Sequence, residues 1–313
     1  MKAVTVAGEA VAVRNHPDPD PGPGQILVQV RAAGLNSADL LQAQGFYPAP
    51  PGSPADILGL ELAGEVVAAG PGATRFSPGD RVMAVVGGGG QAEMALLHER
   101  EAMPVPDTLD WVAAGGLPEV FTTAHDALFT QAGLRAGERL CVSGGAGGVG
   151  TAAVQLGVST GASVVATVRA PGRRGQVASL GAEVIDPADL DEAGPFDVVL
   201  ELVGAPNLGA NLKALAVGGR ISVIGVGAGA VGEINLSLLM ARRARIYGST
   251  LRARPLEGKA AAARLVEAQV LPLFDAGRLT VPIDSTFPLD QAPSAYEHFA
   301  AGGKFGKIIL TSD

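Results

Sequence analysis

The sequence predicts an α/β protein: a β-rich first third followed by a doubly wound parallel sheet. Three observations carry this expectation. Residues 140–168 hold no charge, and within them CVSGGAGGVGTAAVQL at 141–156 sets Gly145, Gly147 and Gly150 in GxGxxG order directly after an apolar run. From Thr122 onward, apolar runs at 139–143, 163–168, 197–202, 219–225 and 244–248, with a weaker one near 184–186, alternate with helical stretches. That is the count of a six-stranded doubly wound sheet. Before Thr122, short apolar runs are cut apart by proline and glycine, the punctuation of an all-β region.

In chain order, the start MKAVTVAGEA reads as a strand at 2–6 and a turn, and further strands are expected at 26–32, 64–69 and 81–85, separated by PDPDPGPG at 17–24 and SPGD at 77–80. Residues 87–90 form a four-glycine loop. After the strand at 139–143 the glycines bring bare backbone to the surface, and a helix over 149–160 follows, stopped by Gly161. A buried strand at 163–168 completes a βαβ unit. Near the C-terminus an Ala-rich helix spans about 256–276 and leads to short apolar pieces ending in GKIIL at 306–310. The expected domains are 1–120, 121–262 and a return to the first domain over 263–313.

A strand that breaks into glycines and re-emerges as a helix is a pyrophosphate site: no Cβ blocks the approach, and the helix start offers free N–H groups and a positive dipole end. Gly145, Ala146, Gly147, Gly148, Val149 and Gly150 are therefore expected to bind a dinucleotide, with Val203 and Gly225 after later strands. A membrane span would also be long and uncharged, but seven glycines and the Ser-Thr-Gly break at 159–161 argue against one continuous helix. NAD sites place an acid about 20 residues on, to hold the ribose 2′-hydroxyl. No acid occurs from Thr151 to Ala182; Arg169, Arg173 and Arg174 stand there instead. Their planar forks suit a phosphate, which favours NADPH.

Composition narrows the partners. A net charge of −8 without a basic stripe excludes nucleic acid and anionic membrane as expected partners. The start lacks the charged, apolar and small-residue regions of a signal peptide, so a cytoplasmic protein is expected. The single Cys141 reads as a small core residue. One cysteine allows no internal disulfide and no Cys₄ or Cys₂His₂ zinc site, and the four histidines have no metal-ligand spacing. No metal is assigned.

Several motifs resemble one family nearly end to end. GLNSAD at 34–39, GLELAGEV at 59–66, GDRV at 79–82, ADLLQAQGFYPAPPG at 38–52 and LPEVFTTAHDAL at 117–128 are similar to elements of the medium-chain dehydrogenase/reductases. Within them the chain resembles the zinc-free NADPH quinone oxidoreductases related to zeta-crystallin, in the stress-inducible branch. The resemblance implies a GroES-like, partly closed β-barrel catalytic domain built from both chain ends, a Rossmann NADP-binding domain inserted in it, and an active site in the cleft between them. It also implies a homodimer formed through the strand near 245–249, an edge that must be covered or paired. Zinc enzymes of this superfamily carry a cysteine, a histidine and a second cysteine where Asn36, Leu60 and Glu119 stand here. Neither Asn nor Leu is a workable zinc ligand. The family's tyrosine after the third nucleotide-domain strand is missing, with Pro187 near its place, which throws the 2′-phosphate pocket onto Arg173.

Without a Lewis acid the hydride acceptor must already be electrophilic, as quinones and α,β-unsaturated carbonyls are. Charge developing on its oxygen still needs a donor. Tyr47, in the proline-fixed FYPAPP loop, is the candidate donor, or else an aromatic wall. Asn36 either orients substrate or nicotinamide through its amide or stabilises a turn. By resemblance Thr123 hydrogen-bonds the nicotinamide carboxamide. Glu119 is a general acid or, in the blander reading, a carboxylate that positions backbone. Lys304 and Lys307, in GKFGKIIL at 303–310, either add phosphate attraction or are solvated lysines. Glu201 stands where the family more usually has Asp, and the sequence offers no reason for it. The leading expectation is an NADPH-dependent quinone reductase acting on a small-molecule quinone or enone. An enone or enoyl-thioester reductase is the enzyme alternative, and a nucleotide-binding structural or regulatory protein the non-enzyme one.

Overall fold

The computed structural model describes residues 1–7 and 10–312; the turn expected at Gly8 and Glu9 lies outside them. In chain order, β1 (Lys2–Ala7) and β2 (Ala10–Asn15) form an antiparallel ribbon, followed by β3 (Gln25–Gly34), β4 (Glu61–Ala69), β5 (Arg81–Val85), β6 (Met94–His98) and β7 (Ala102–Pro104). Then come β8 (Arg139–Ser143), β9 (Ser163–Thr167), β10 (Glu183–Ile185), β11 (Phe196–Glu201), β12 (Leu215–Val223) and β13 (Arg245–Gly248), and last β14 (Ile283–Pro288) and β15 (Lys307–Thr311).

The chain divides into two compact units. One comprises Met1–Thr122 with everything from Leu251 onward, and the other is Thr123–Thr250. The first unit therefore resumes earlier than the expected residue 263, and the Ala-rich helix belongs to it.

Among the described residues the first unit holds a sheet ordered β14-β15-β3-β4-β5-β7, with β6 also paired to β3. Strand β3 alternates between buried and half-exposed positions, the period of two that a one-sided sheet imposes. Its inward residues Ile26, Val28 and Val30 pack with Leu62, Val66, Val82 and Ala84. The antiparallel pairing of β15 with β3 sets Ile309 opposite Gly34, so a C-terminal strand is brought beside the start of the helix Ser37–Ala43. The Ala-rich helix is not continuous. It runs over Leu256–Gln269 and restarts as Leu271–Asp275, because Pro272 has no N–H to give to the carbonyl four residues back and its ring crowds that turn.

The second unit is a parallel sheet in the order β10-β9-β8-β11-β12-β13. This is the doubly wound order that reverses between its first and fourth strands. All six expected strands are present, the weak one included. Beyond Arg139, which is half-exposed at the start of β8, the uncharged sequence of β8 and β9 follows from burial on both faces. Cys141 packs with Val165, Phe196, Val199 and Leu215, and burial pushes its thiol up to about 12, which leaves it an inert core residue. Among the described residues no helix is long and apolar enough to cross a membrane.

Candidate functional site

The expected site residues divide between the two units. In the second, β8 ends at Ser143 and the chain turns through Gly144, whose φ of 89° lies in the left-handed region that favours glycine. The helix Gly148–Thr160 then starts from Gly147 and ends on Gly161. A Cβ at Gly150 would stand 2.3 Å from the Gly144 carbonyl oxygen, whereas one at Gly147 would meet nothing nearer than 3.8 Å. The last glycine of the motif thus lets helix and strand pack, and the middle one keeps bare backbone at a helix start whose first N–H groups have no partner within the helix. This geometry fits a pyrophosphate.

Strand β9 is followed by exposed Arg169 and by Arg173 and Arg174 on the helix Pro171–Ala178. The two helix arginines differ. Arg174 donates to the Val168 carbonyl at 3.1 Å and to Asp186 Oδ2 at 2.6 Å, so its guanidinium is held by the protein's own carboxylate. That narrows the phosphate-facing set expected from three arginines. Arg173 donates to the neutral Gln176 side chain at 3.1 Å.

Glu201, which the sequence left without a reason, closes the end of β11. Its Oε1 accepts from the backbone N–H of Val203 at 2.6 Å and of Gly204 at 2.8 Å, and Asn207 and Asn211 donate to Oε2. The longer Glu side chain reaches forward to bind the turn that carries Val203. Gly225 is tied to the same residue through its N–H on the Glu201 carbonyl, at 3.1 Å. Thr123 is buried on the helix Pro118–His125.

In the first unit Asn36 precedes the helix Ser37–Ala43, and its side chain points into a buried charged cluster. Lys307 Nζ donates to Asn36 Oδ1 and to the Leu35 carbonyl at 2.7 Å each, and pairs with Glu61 Oε1 at 2.6 Å. Asn36 Nδ2 donates to Glu61 Oε1 at 3.0 Å and to the Gly34 carbonyl at 3.4 Å, while Glu61 Oε2 accepts the Glu119 N–H at 2.8 Å. A Cβ on Gly34 would lie 2.2 Å from Glu61 Oε1, so the cluster needs glycine there. Lys307 is 3% exposed and Glu61 fully buried.

The expectation that Lys307 attracts a cofactor phosphate is therefore corrected. All three ammonium hydrogens have partners inside the first unit, and the strand that carries them is a core strand. Lys304 has its ammonium 3.5 Å from the centroid of the Phe299 ring, and burial, with Lys307 nearby, lowers its proton affinity. Asn36 has both amide hydrogens engaged, so what it can still offer a ligand is a lone pair on Oδ1.

Asp39, fully buried beneath this cluster, accepts from Asn36 N–H at 2.8 Å and from Gln91 Nε2 at 3.3 Å. Desolvation raises its carboxyl to about 7, against the pull of the Asn36 N–H and the Lys307 charge. Tyr47 is half-buried. Its carbonyl accepts from Arg252 Nη1 at 2.7 Å, and its ring lies 5.0 Å under that guanidinium.

These two units match known sequences and structures. The profile of the alcohol dehydrogenase GroES-like domain covers residues 22–107, and that described as zinc-binding dehydrogenase covers 180–310. A quinone oxidoreductase of Rattus norvegicus is 34% identical over 91% of this chain and 88% of its own. An acryloyl-coenzyme A reductase of Metallosphaera sedula is 30% identical over the full length of both. Erythronolide synthase EryA2 of Saccharopolyspora erythraea is 35% identical over 92% of this chain, which spans only 8% of that much longer one. A mycobacterial protein solved in complex with NADPH superposes with a TM-score of 0.88 at 26% identity, over the whole of both chains. The zinc of the second profile does not fit here. Asn36 Oδ1 already faces an ammonium 2.7 Å away, Leu60 has no donor atom, and among the described residues no group of three His, Cys, Asp or Glu side chains could hold a metal.

Proposed function

The chain belongs to the medium-chain dehydrogenase/reductase superfamily, in company with the quinone oxidoreductases, and from that premise we propose that it reduces quinones by hydride transfer from NADPH without a metal. The observation that carries the reading is the Asn36–Lys307–Glu61 cluster: an ammonium and a hydrogen-bonded amide stand where a Lewis acid would need ligands. The acceptor must then be electrophilic by itself, as a quinone is. NADPH, when bound, supplies the hydride. In the second unit Gly145 to Gly150 and the start of the helix Gly148–Thr160 would hold its pyrophosphate and Thr123 its carboxamide; in the first unit Asn36 would orient substrate or nicotinamide through its remaining lone pair, and Tyr47 would donate a hydrogen bond to the substrate carbonyl oxygen.

The choice of NADPH rests on Arg169 and Arg173, since Arg174 is tied to Asp186. One charged hydrogen bond is worth about 1.5–3 kcal/mol. Arg173→Ala is therefore expected to weaken NADPH by roughly one to two decades while NADH binding barely changes. Equal dissociation constants for the two cofactors in the unsubstituted protein would remove the 2′-phosphate reading.

Double-bond reduction of an enone or enoyl thioester is the second reading, favoured by the full-length likeness to an acryloyl-coenzyme A reductase. NADPH oxidation against 1,4-benzoquinone, 9,10-phenanthrenequinone, an alkyl enone and an enoyl thioester separates the two. Turnover of the thioester but not of the quinones would exchange them.

The edge of the second unit's sheet supports a homodimer. Among the described residues strand β13 has one neighbour in the sheet, and Ile246 on it is exposed, as are Val231, Leu236 and Met240 just before it in sequence; an edge of this kind is one a second copy covers. Sedimentation at the 31.4 kDa mass of one chain would rule this out. A cytoplasmic setting accords with the lone buried Cys141, as nothing in the chain calls for an oxidising compartment.

A further inference from the structure

Arg252 is a buried cation with an unusual set of partners. It is 4% exposed, yet its hydrogen bonds go to neutral oxygens: Nε to the Gly87 carbonyl at 2.8 Å, Nη1 to the Tyr47 carbonyl at 2.7 Å, and Nη2 to Gln42 Oε1. Desolvation works against its charge, with Asp39 and Glu119 offsetting part of that cost. An apolar side chain of similar volume would fill the space without desolvating a charge. What only a planar fork supplies is direction.

The three acceptors belong to three separate segments, namely the helix Ser37–Ala43, the loop that carries Tyr47 and the glycine loop at 87–90. The Tyr47 loop runs between Gly45 and Gly52, at φ of 77° and 88°, and is stiffened by Pro48, Pro50 and Pro51. Neighbouring Phe46 is 78% exposed. The loop is thus a stiff arm between two left-handed glycines. Arg252 grips it at the Tyr47 carbonyl and also lies against the Tyr47 ring, with its carbon 5.0 Å from the ring centroid, within the range of a cation–π contact.

We infer that Arg252 is the positioning residue of Tyr47: by holding both its carbonyl and its ring it sets the direction of the phenol, and it influences turnover through that hydroxyl alone. This rests on the proposed donor role of Tyr47. A lysine keeps the charge but cannot hold three diverging acceptors and a ring face at once.

The test is a double-mutant cycle in the full-length protein. Arg252→Lys, Tyr47→Phe and the pair are compared for kcat and KM on an alkyl enone, for NADPH affinity by fluorescence, and for melting temperature. Arg252→Lys is expected to lower kcat about tenfold or more, as a misplaced catalytic group does, with NADPH affinity within about twofold. In the Tyr47→Phe background the same change should cost less than about twofold. Equal fold-losses in both backgrounds, with Tyr47→Phe itself costly, would overturn the positioning role and leave the donor role of Tyr47 standing. A Tyr47→Phe enzyme with full turnover would end both. Should the arginine variants fail to fold, Gln42→Leu removes one of the three acceptors and keeps the charge. It is expected to show the same non-additivity at smaller size, and additivity there would equally overturn the inference.

Discussion

Tyr47→Phe is expected to lower kcat by about one to three decades with NADPH affinity preserved, if its hydrogen bond to the carbonyl oxygen forms mainly in the transition state. The substitution keeps the ring under Arg252 and the backbone bond to it, so only the hydroxyl is lost. The loss should be larger for an enone than for a reactive quinone, whose oxygen needs less help. An aromatic wall would behave in the opposite way: Phe would be silent and Tyr47→Ala costly. Steady-state kinetics on both acceptor classes decide it, and full turnover of Tyr47→Phe on every acceptor would assign the ring to packing and the proton to solvent.

Lys307→Met is expected to destabilise the fold by about 3–5 kcal/mol, because it strips the counter-charge from a buried carboxylate. Glu61 would keep only the Asn36 amide and the Glu119 N–H, which solvate it but do not neutralise it. Adding Glu61→Gln should restore most of the loss, since the pair then contains no uncompensated charge. A urea midpoint at constant m-value reads both effects. The dissociation constant of NADPH, measured where the variant is folded, should change by less than the roughly one to two decades that a lost phosphate contact costs. A selective loss of NADPH affinity with little loss of stability would return Lys307 to the phosphate site.

The contrast between Lys307 and the glycine loop shows what kind of information each carries. Gly145, Gly147 and Gly150 act through their own backbone and their immediate neighbours, so a strand, three glycines and a helix are legible as a string. A lysine's role depends on what surrounds its ammonium. Lys304 and Lys307, in GKFGKIIL at 303–310, read as phosphate-attracting or solvated lysines, but Lys307 opens a core strand and meets Asn36 across 271 positions of sequence. Arg174 was indistinguishable from Arg173 until Asp186 was seen against it. Glu201 had no role until its two backbone donors folded back onto it. Nothing around Arg252 in sequence marks a buried guanidinium; the partners that explain it lie more than 160 residues away.

The sequence by itself determined the layered architecture: a β-rich unit, six parallel strands with their helices, and a glycine turn built for a pyrophosphate. Hydrophobic period and glycine position are local quantities, and secondary structure responds to them locally. The continuous helix expected over 256–276 is divided at Pro272, whose missing N–H breaks the helical bonding. Only the tertiary structure decided which charges face inward. Whether a Lys or Arg meets water or a buried carboxylate depends on strands that pair across most of the chain. The free energy of that choice comes from desolvation and ion pairing at the meeting point, and neither is encoded in the residues on either side.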